Sequence, residues 1–112
     1  MSYHALSAYR IMWLFVFFDL PVKTKKQRKD AATFRKYLEK DGFSMLQFSV
    51  YMRHCASRES MEAHIGRVKA AIPKLGKVSM LKVTDKQYGD IINYCGKEIE
   101  NLPDTPRQLE FF

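Results

Sequence analysis

Residues 11–21 read IMWLFVFFDLP: eight apolar side chains in succession, then an aspartate, a leucine and a proline. A run holding Ile, Val, Trp and three Phe without one polar member lacks the alternation of a half-solvated strand. It fits a central strand covered on both faces. A membrane-spanning helix needs about 18 or more apolar residues, so a run of eight excludes one here. It is no signal peptide either, because it leads into Asp-Leu-Pro and not into a small-residue cleavage site. The expectation is a cytoplasmic protein with no membrane partner. Pro21 has no N–H for a ladder, so the strand stops near Asp19.

Reading outward, Thr24 offers a helix N-cap, and Ala31, Phe34, Leu38 and more loosely Tyr37 recur at helical spacing until Gly42 supplies a left-handed stop. This predicts a helix over about 24–41. FSMLQFSVYMRHC, residues 43–55, is rich in β-formers but changes phase near Gln47, where a bend or bulge is expected. Ser57 then opens a second amphipathic helix carrying Met61, Ile65, Val68, Ala71 and Ile72, which Pro73 and Gly76 end. KVSMLKVT, residues 77–84, reads as a strand with Val78, Met80 and Leu81 as inward candidates, and a further strand is expected near 90–95. The aromatics at 15, 17, 18, 34, 43, 48 and 51 fall on the expected core pattern. Two helices on one face of an antiparallel sheet make an α+β fold, the ferredoxin-like βαββαβ sandwich, here with an extra C-terminal strand. One domain over 1–112 is expected, with 1–10 an N-terminal extension and 101–112 an extended tail.

At 112 residues the chain suffices for one core, and 46% hydrophobic content separates it from disordered sequences. The net charge of +7 is unevenly spread. Lys23, Lys25, Lys26, Arg28, Lys29, Arg35, Lys36 and Lys40 face only Asp30 and Glu39 over 23–40. Arg53, Arg58 and five further bases dominate 53–82, whereas the segment from 83 onward is acidic. Such a basic body suits nucleic acid or an anionic membrane surface. Cys55 and Cys95 share no metal-binding spacing and read as two reduced thiols.

A carboxylate at the C-terminal end of a buried strand, followed by a turn and a helix, lies where α/β sheets place ligand chemistry, which singles out Asp19. One aspartate holds Mg²⁺ weakly, and a symmetric dimer would bring two together. His4, His54 and His64 match no metal-binding pattern and read as surface or capping residues; no glycine-rich phosphate loop or nucleophile elbow is present. The terminal QLEFF, with Leu109, Phe111 and Phe112 as its apolar positions, reads as a short strand that pairs with a partner's sheet edge.

Taken together, FDLP, TKKQRKDAATFRKYLEKDGF, MLQFSVYMRHC and KVTDKQY resemble the small CRISPR-associated protein two family, in the form that accompanies type II systems. The resemblance covers about 11–112. It implies a ferredoxin-like homodimer at the centre of the spacer-acquisition complex, bridging two dimers of the integrase subunit and holding protospacer double-stranded DNA. It also implies a metal-binding, catalytic role for Asp19 from each subunit, with Mg²⁺ as cofactor, since family members are described as Mg²⁺-dependent nucleases on RNA or double-stranded DNA. The family's basic positions early in helix one correspond to Lys26 and Arg28. Many members have Tyr before the aspartate; here it is Phe18, which removes a phenol able to hold a water or phosphate. The first expectation is therefore a DNA-binding scaffold using Lys23, Lys25, Lys26, Arg28, Arg53 and Arg58. The alternative is a Mg²⁺-dependent endonuclease with paired Asp19 residues at the dimer interface. A stand-alone RNA-binding module fits less well, for want of the aromatic pattern such sheets carry.

Overall fold

The computed structural model describes residues 11–100. The apolar run forms β1 (Met12–Asp19), hydrogen-bonded on one side to β3 (Val50–Cys55) and on the other to β4 (Lys77–Thr84), both antiparallel. β2 (Ser44–Gln47) pairs with β3, giving the sheet order β2-β3-β1-β4. With α1 (Lys25–Lys40) and α2 (Arg58–Ala71) as crossovers, this is the expected ferredoxin-like βαββαβ arrangement. No helix among the described residues is long and apolar enough to cross a membrane.

Local chemistry accounts for the helix ends. The Thr24 hydroxyl accepts from the Gln27 N–H at 3.1 Å while the Gln27 side chain accepts from the Thr24 N–H at 3.0 Å, a complete capping box. Ser57 caps α2 through the Ser60 N–H. Gly42, at φ 90°, ends α1 by a left-handed turn in which the Phe43 N–H reaches the Leu38 carbonyl.

Period-two alternation sends Leu14, Val16 and Phe18 of β1 to the helices, where they pack with Phe34, Leu38, Tyr51, Met61 and Val68. Trp13 and Phe15 point the other way and are covered by Met52 and Tyr88. Tyr88 comes from α3 (Asp85–Gly89), a single helical turn. Its ring stacks on Trp13 at 3.7 Å between centroids, and the Trp13 indole donates to Asp85 at 2.8 Å. The capping box Thr84–Gln87 was the available signal for this turn. The strand expected near 90–95 is β5 (Asn93–Cys95), which among the described residues pairs with β6 (Glu98–Glu100) in a separate two-stranded sheet.

The segment 43–55 supplies the two middle strands of the βαββαβ order, with the expected irregularity near Gln47 and a reversal through Phe48 and Ser49, the latter at φ 78°. Two expectations need correction. Phe48 and Leu81 do not join the core and stay exposed. His64 is no surface residue; it is buried against α1, with Nδ1 2.7 Å from an Asp41 carboxylate oxygen, while His54 is half-buried against Trp13. Cys55 is buried and Cys95 exposed, both free; burial pushes the Cys55 thiol pKa up, with the neighbouring Arg53 opposing. Residues 1–10, with His4, and 101–112, with Leu109, Phe111 and Phe112, lie outside the described residues.

Candidate functional site

Asp19 is the last residue of the central strand, and alternation puts its side chain on the face of Phe15 and Phe17, away from α1 and α2. Cover on that face is uneven. Tyr88 shields Trp13 and Phe15, but Phe17 is 37% exposed, Leu81, which lies opposite Phe15 on β4, is 49% exposed, and Asp19 is exposed. The sheet thus presents an apolar strip that ends in a carboxylate.

Asp19 lies opposite Lys77 in the β1–β4 register, and no ion pair among the described residues joins them. Gly76, just before Lys77, has φ 105°, and a Cβ there would meet the Asp19 carbonyl oxygen at 2.9 Å. Backbone therefore packs directly on backbone where the carboxylate is presented, a contact only glycine allows.

The segment after Asp19 is tied down by hydrogen bonds with two side chains of α1. The Gln27 side-chain oxygen accepts from the Lys23 N–H at 2.9 Å, and the Arg28 guanidinium donates to the carbonyls of Val22 and Lys23 at 3.1 and 3.0 Å. Lys23, Lys25 and Lys26 project from this anchored turn into solvent. The first turn of α1 contains no acid, although the positive end of a helix dipole favours one. Two lysines at that position break the local rule, as residues serving an external anion do.

The remaining basic candidates lie elsewhere. Arg53 is half-buried on the helix side; its Nε donates to the His54 carbonyl at 3.0 Å, and its guanidinium also donates to the Asp41 carbonyl at the end of α1. Arg58 is exposed at the start of α2, which follows the strand end paired with Met12, so it stands at the opposite end of the sheet from Asp19. Asp19, Lys23, Lys25, Lys26 and Arg28 share one end of the sheet; Arg53 and Arg58 do not. Sequence reading missed Lys77, which only the register brings to Asp19.

Phe18 is buried, edge-on to Phe34 at 5.2 Å and 5.7 Å from Tyr51, on the face opposite Asp19. A ring at this position leads into the helix-side core, so the absent phenol carries less weight for chemistry at Asp19 than the sequence suggested. Tyr51 donates to Glu39 at 3.3 Å, and burial, helped by that carboxylate, raises its pKa. Among the described residues no three His, Cys, Asp or Glu side chains come together as a metal site.

A family model for CRISPR associated protein Cas2 matches residues 12–91, from the start of β1 to just past α3. The chain belongs to the Cas2 family. A Cas2 relative from Flavobacterium psychrophilum, named a CRISPR-associated endoribonuclease, is 47% identical over 110 residues, covering 98% of this chain and 96% of its own. One of the same name from Parvibaculum lavamentivorans is 48% identical over 101 residues, 90% of this chain and 100% of its own. A third, from Paracidovorax avenae, is 43% identical over 107 residues, 96% of this chain and 99% of its own. The family match takes in Asp19, the anchored turn and the basic start of α1.

Proposed function

We propose that this chain is a Cas2-type endonuclease that acts on RNA as a homodimer, with Asp19 of each subunit contributing to one Mg²⁺ site. The observation that carries the reading is the exposed Asp19 carboxylate, at the end of a rigid central strand, beside a basic turn able to hold phosphates. The name endoribonuclease borne by the relatives favours RNA. One carboxylate per chain suits Mg²⁺, which is held by one or two carboxylates and keeps several waters and substrate phosphates. Bound there, the ion would activate water and neutralise charge developing on the phosphodiester. Lys23, Lys25 and Lys26 hold the backbone of the substrate without reading its bases, and Phe17 and Leu81 give a second copy an apolar strip to cover.

The decisive experiment incubates the full chain with single-stranded RNA and Mg²⁺. Cleavage is expected to vanish with a chelator and with Asp19→Ala, while RNA binding by that variant stays within about twofold, because the phosphate grip comes from lysines and arginine. Undiminished cleavage by Asp19→Ala would overturn the proposal.

A second reading, a DNA-holding scaffold in spacer acquisition that bridges integrase dimers, is favoured because Asp19 belongs to no group of three or more His, Cys, Asp or Glu side chains among the described residues. Under it, Asp19→Ala retains acquisition, whereas Lys26→Glu with Arg28→Glu abolishes it.

A further inference from the structure

Phe48 occupies the tip of the β2–β3 hairpin and is 75% exposed, the most solvent-open aromatic ring among the described residues. It does not point into empty solvent on both sides. The guanidinium of Arg35, from α1, lies over its ring at 4.0 Å from the centroid and also 5.5 Å from the buried Phe18 ring. Arg35 is half-buried, and its Nε finds no hydrogen-bond partner among the described residues. A guanidinium wedged between two rings holds Phe48 in one orientation and leaves the other ring face open. The hairpin tip is itself fixed: Ser49 takes a left-handed φ of 78°, and its carbonyl accepts from the Phe18 N–H at 3.0 Å. That bond ties the tip to the strand whose next residue is Asp19.

Charge follows the same helix face. Lys25, Arg28 and Arg35 lie on one face of α1, with Ala32 between the last two, so three bases mark out a track about 15 Å long from the anchored turn toward the Phe48 ring. An oriented open aromatic at the end of a basic track is the arrangement by which proteins hold single-stranded nucleic acid, phosphates on the bases and a nucleobase on the ring. A Watson–Crick duplex offers its bases stacked on one another and gains nothing from such a ring.

We propose that the open face of Phe48, backed by Arg35, stacks one unpaired nucleobase of a strand whose phosphates follow the basic face of α1. The proposal deepens the nucleic-acid reading above and rests on it. It adds a preference for unpaired over paired substrate, and it brings a captured strand to the sheet end that carries Asp19.

The test measures equilibrium binding of the full chain to a labelled single-stranded RNA, a single-stranded DNA and a blunt duplex at fixed salt. The variants are Phe48→Leu, which keeps apolar cover but lacks a π face, Phe48→Trp and Lys26→Ala. Phe48→Leu should weaken single-strand binding about five- to tenfold and leave the duplex within about twofold. It should not alter the salt slope, since no phosphate contact is lost. Phe48→Trp should bind single strands at least as well as the parent. Equal losses for RNA and DNA identify the base as the ligand; a loss for RNA alone adds a ribose contact. Lys26→Ala should weaken all three and lower the salt slope by about one. Equal or absent effects of Phe48→Leu on single strand and duplex, with Lys26→Ala still damaging, would overturn the stacking site and leave the nucleic-acid reading standing; the ring would then serve the hairpin or a protein partner. No binding by the parent chain would remove both.

Discussion

At the scale of single residues, the site depends on a position that carries no chemistry. Gly76 lets β4 begin against the Asp19 carbonyl at a distance no Cβ tolerates, and in a left-handed conformation. Gly76→Ala should cost ~1–3 kcal/mol of stability and shift the strand end that presents Asp19, so cleavage should fall even at temperatures where the variant is folded. Gly66, on the open side of α2 with nothing within 4 Å, is the control: Gly66→Ala should stabilise by up to ~1 kcal/mol and leave activity alone. Thermal midpoints and cleavage rates of the two variants check both statements. His54 supplies a pH dependence. Burial lowers its pKa below the usual 6.5, Asp85 opposes this and Arg53 reinforces it. The unfolded chain therefore binds more protons than the folded one below pH 6.5. This contribution to stability is fully present above that value and is lost as pH falls through the folded pKa. The gap in thermal midpoint between pH 7.5 and pH 5 should shrink in His54→Gln; an unchanged gap would assign the acid sensitivity to another group.

At the scale of elements, α1 sacrifices stability for charge. Its first turn lacks the acid that the helix dipole favours and carries Lys25 and Lys26 instead. Lys25→Glu should raise stability by ~0.3–1 kcal/mol at low salt while weakening nucleic-acid binding, and the two effects should diverge in paired unfolding and binding titrations. The helix itself was legible beforehand, because its signals are local: Thr24 and Gln27 for the start, Gly42 for the end, and Ala31, Phe34 and Leu38 for the buried stripe. The hairpin was harder to read. SMLQ and VYMRHC run together in β propensity, and a two-residue reversal through Phe-Ser lacks the Asn-Gly or Gly that usually marks such a turn. With no turn residue to mark the reversal, Phe48 falls on the apolar pattern of its neighbours although it stands at the exposed tip. α3 went unread because five residues are too few to show a helical period.

At the scale of the whole molecule, the described residues finish one face of the sheet and leave the other partly open. α1 and α2 close the first over Leu14, Val16 and Phe18; on the second, α3 covers Trp13 and Phe15 and stops short of Phe17, Leu81 and Asp19. A homodimer that buries this strip should give a light-scattering mass twice the 13.2 kDa of one chain, and Phe17→Asp combined with Leu81→Lys should return it to a monomer. If the double variant keeps the parent's mass, the strip is not the interface. If the metal site needs Asp19 from both subunits, as proposed, the same variant should lose Mg²⁺-dependent cleavage while its lysines still hold nucleic acid.

By itself the sequence determined what neighbours along the chain can decide: the apolar run as a central strand, the helices through their caps and periodic stripes, and the basic body that favours a polyanion. It also marked Asp19, since an acid directly after such a run has to stand at a strand end. Only the tertiary structure decided how far cover extends over β1, that Lys77 faces Asp19 while Arg53 is turned to the end of α1, that His64 is buried against Asp41, and that Phe48 is held open by Arg35. Each of these is a contact between side chains far apart in sequence, set by strand register and by which helix arrives over which strand. No local period or propensity encodes such a meeting.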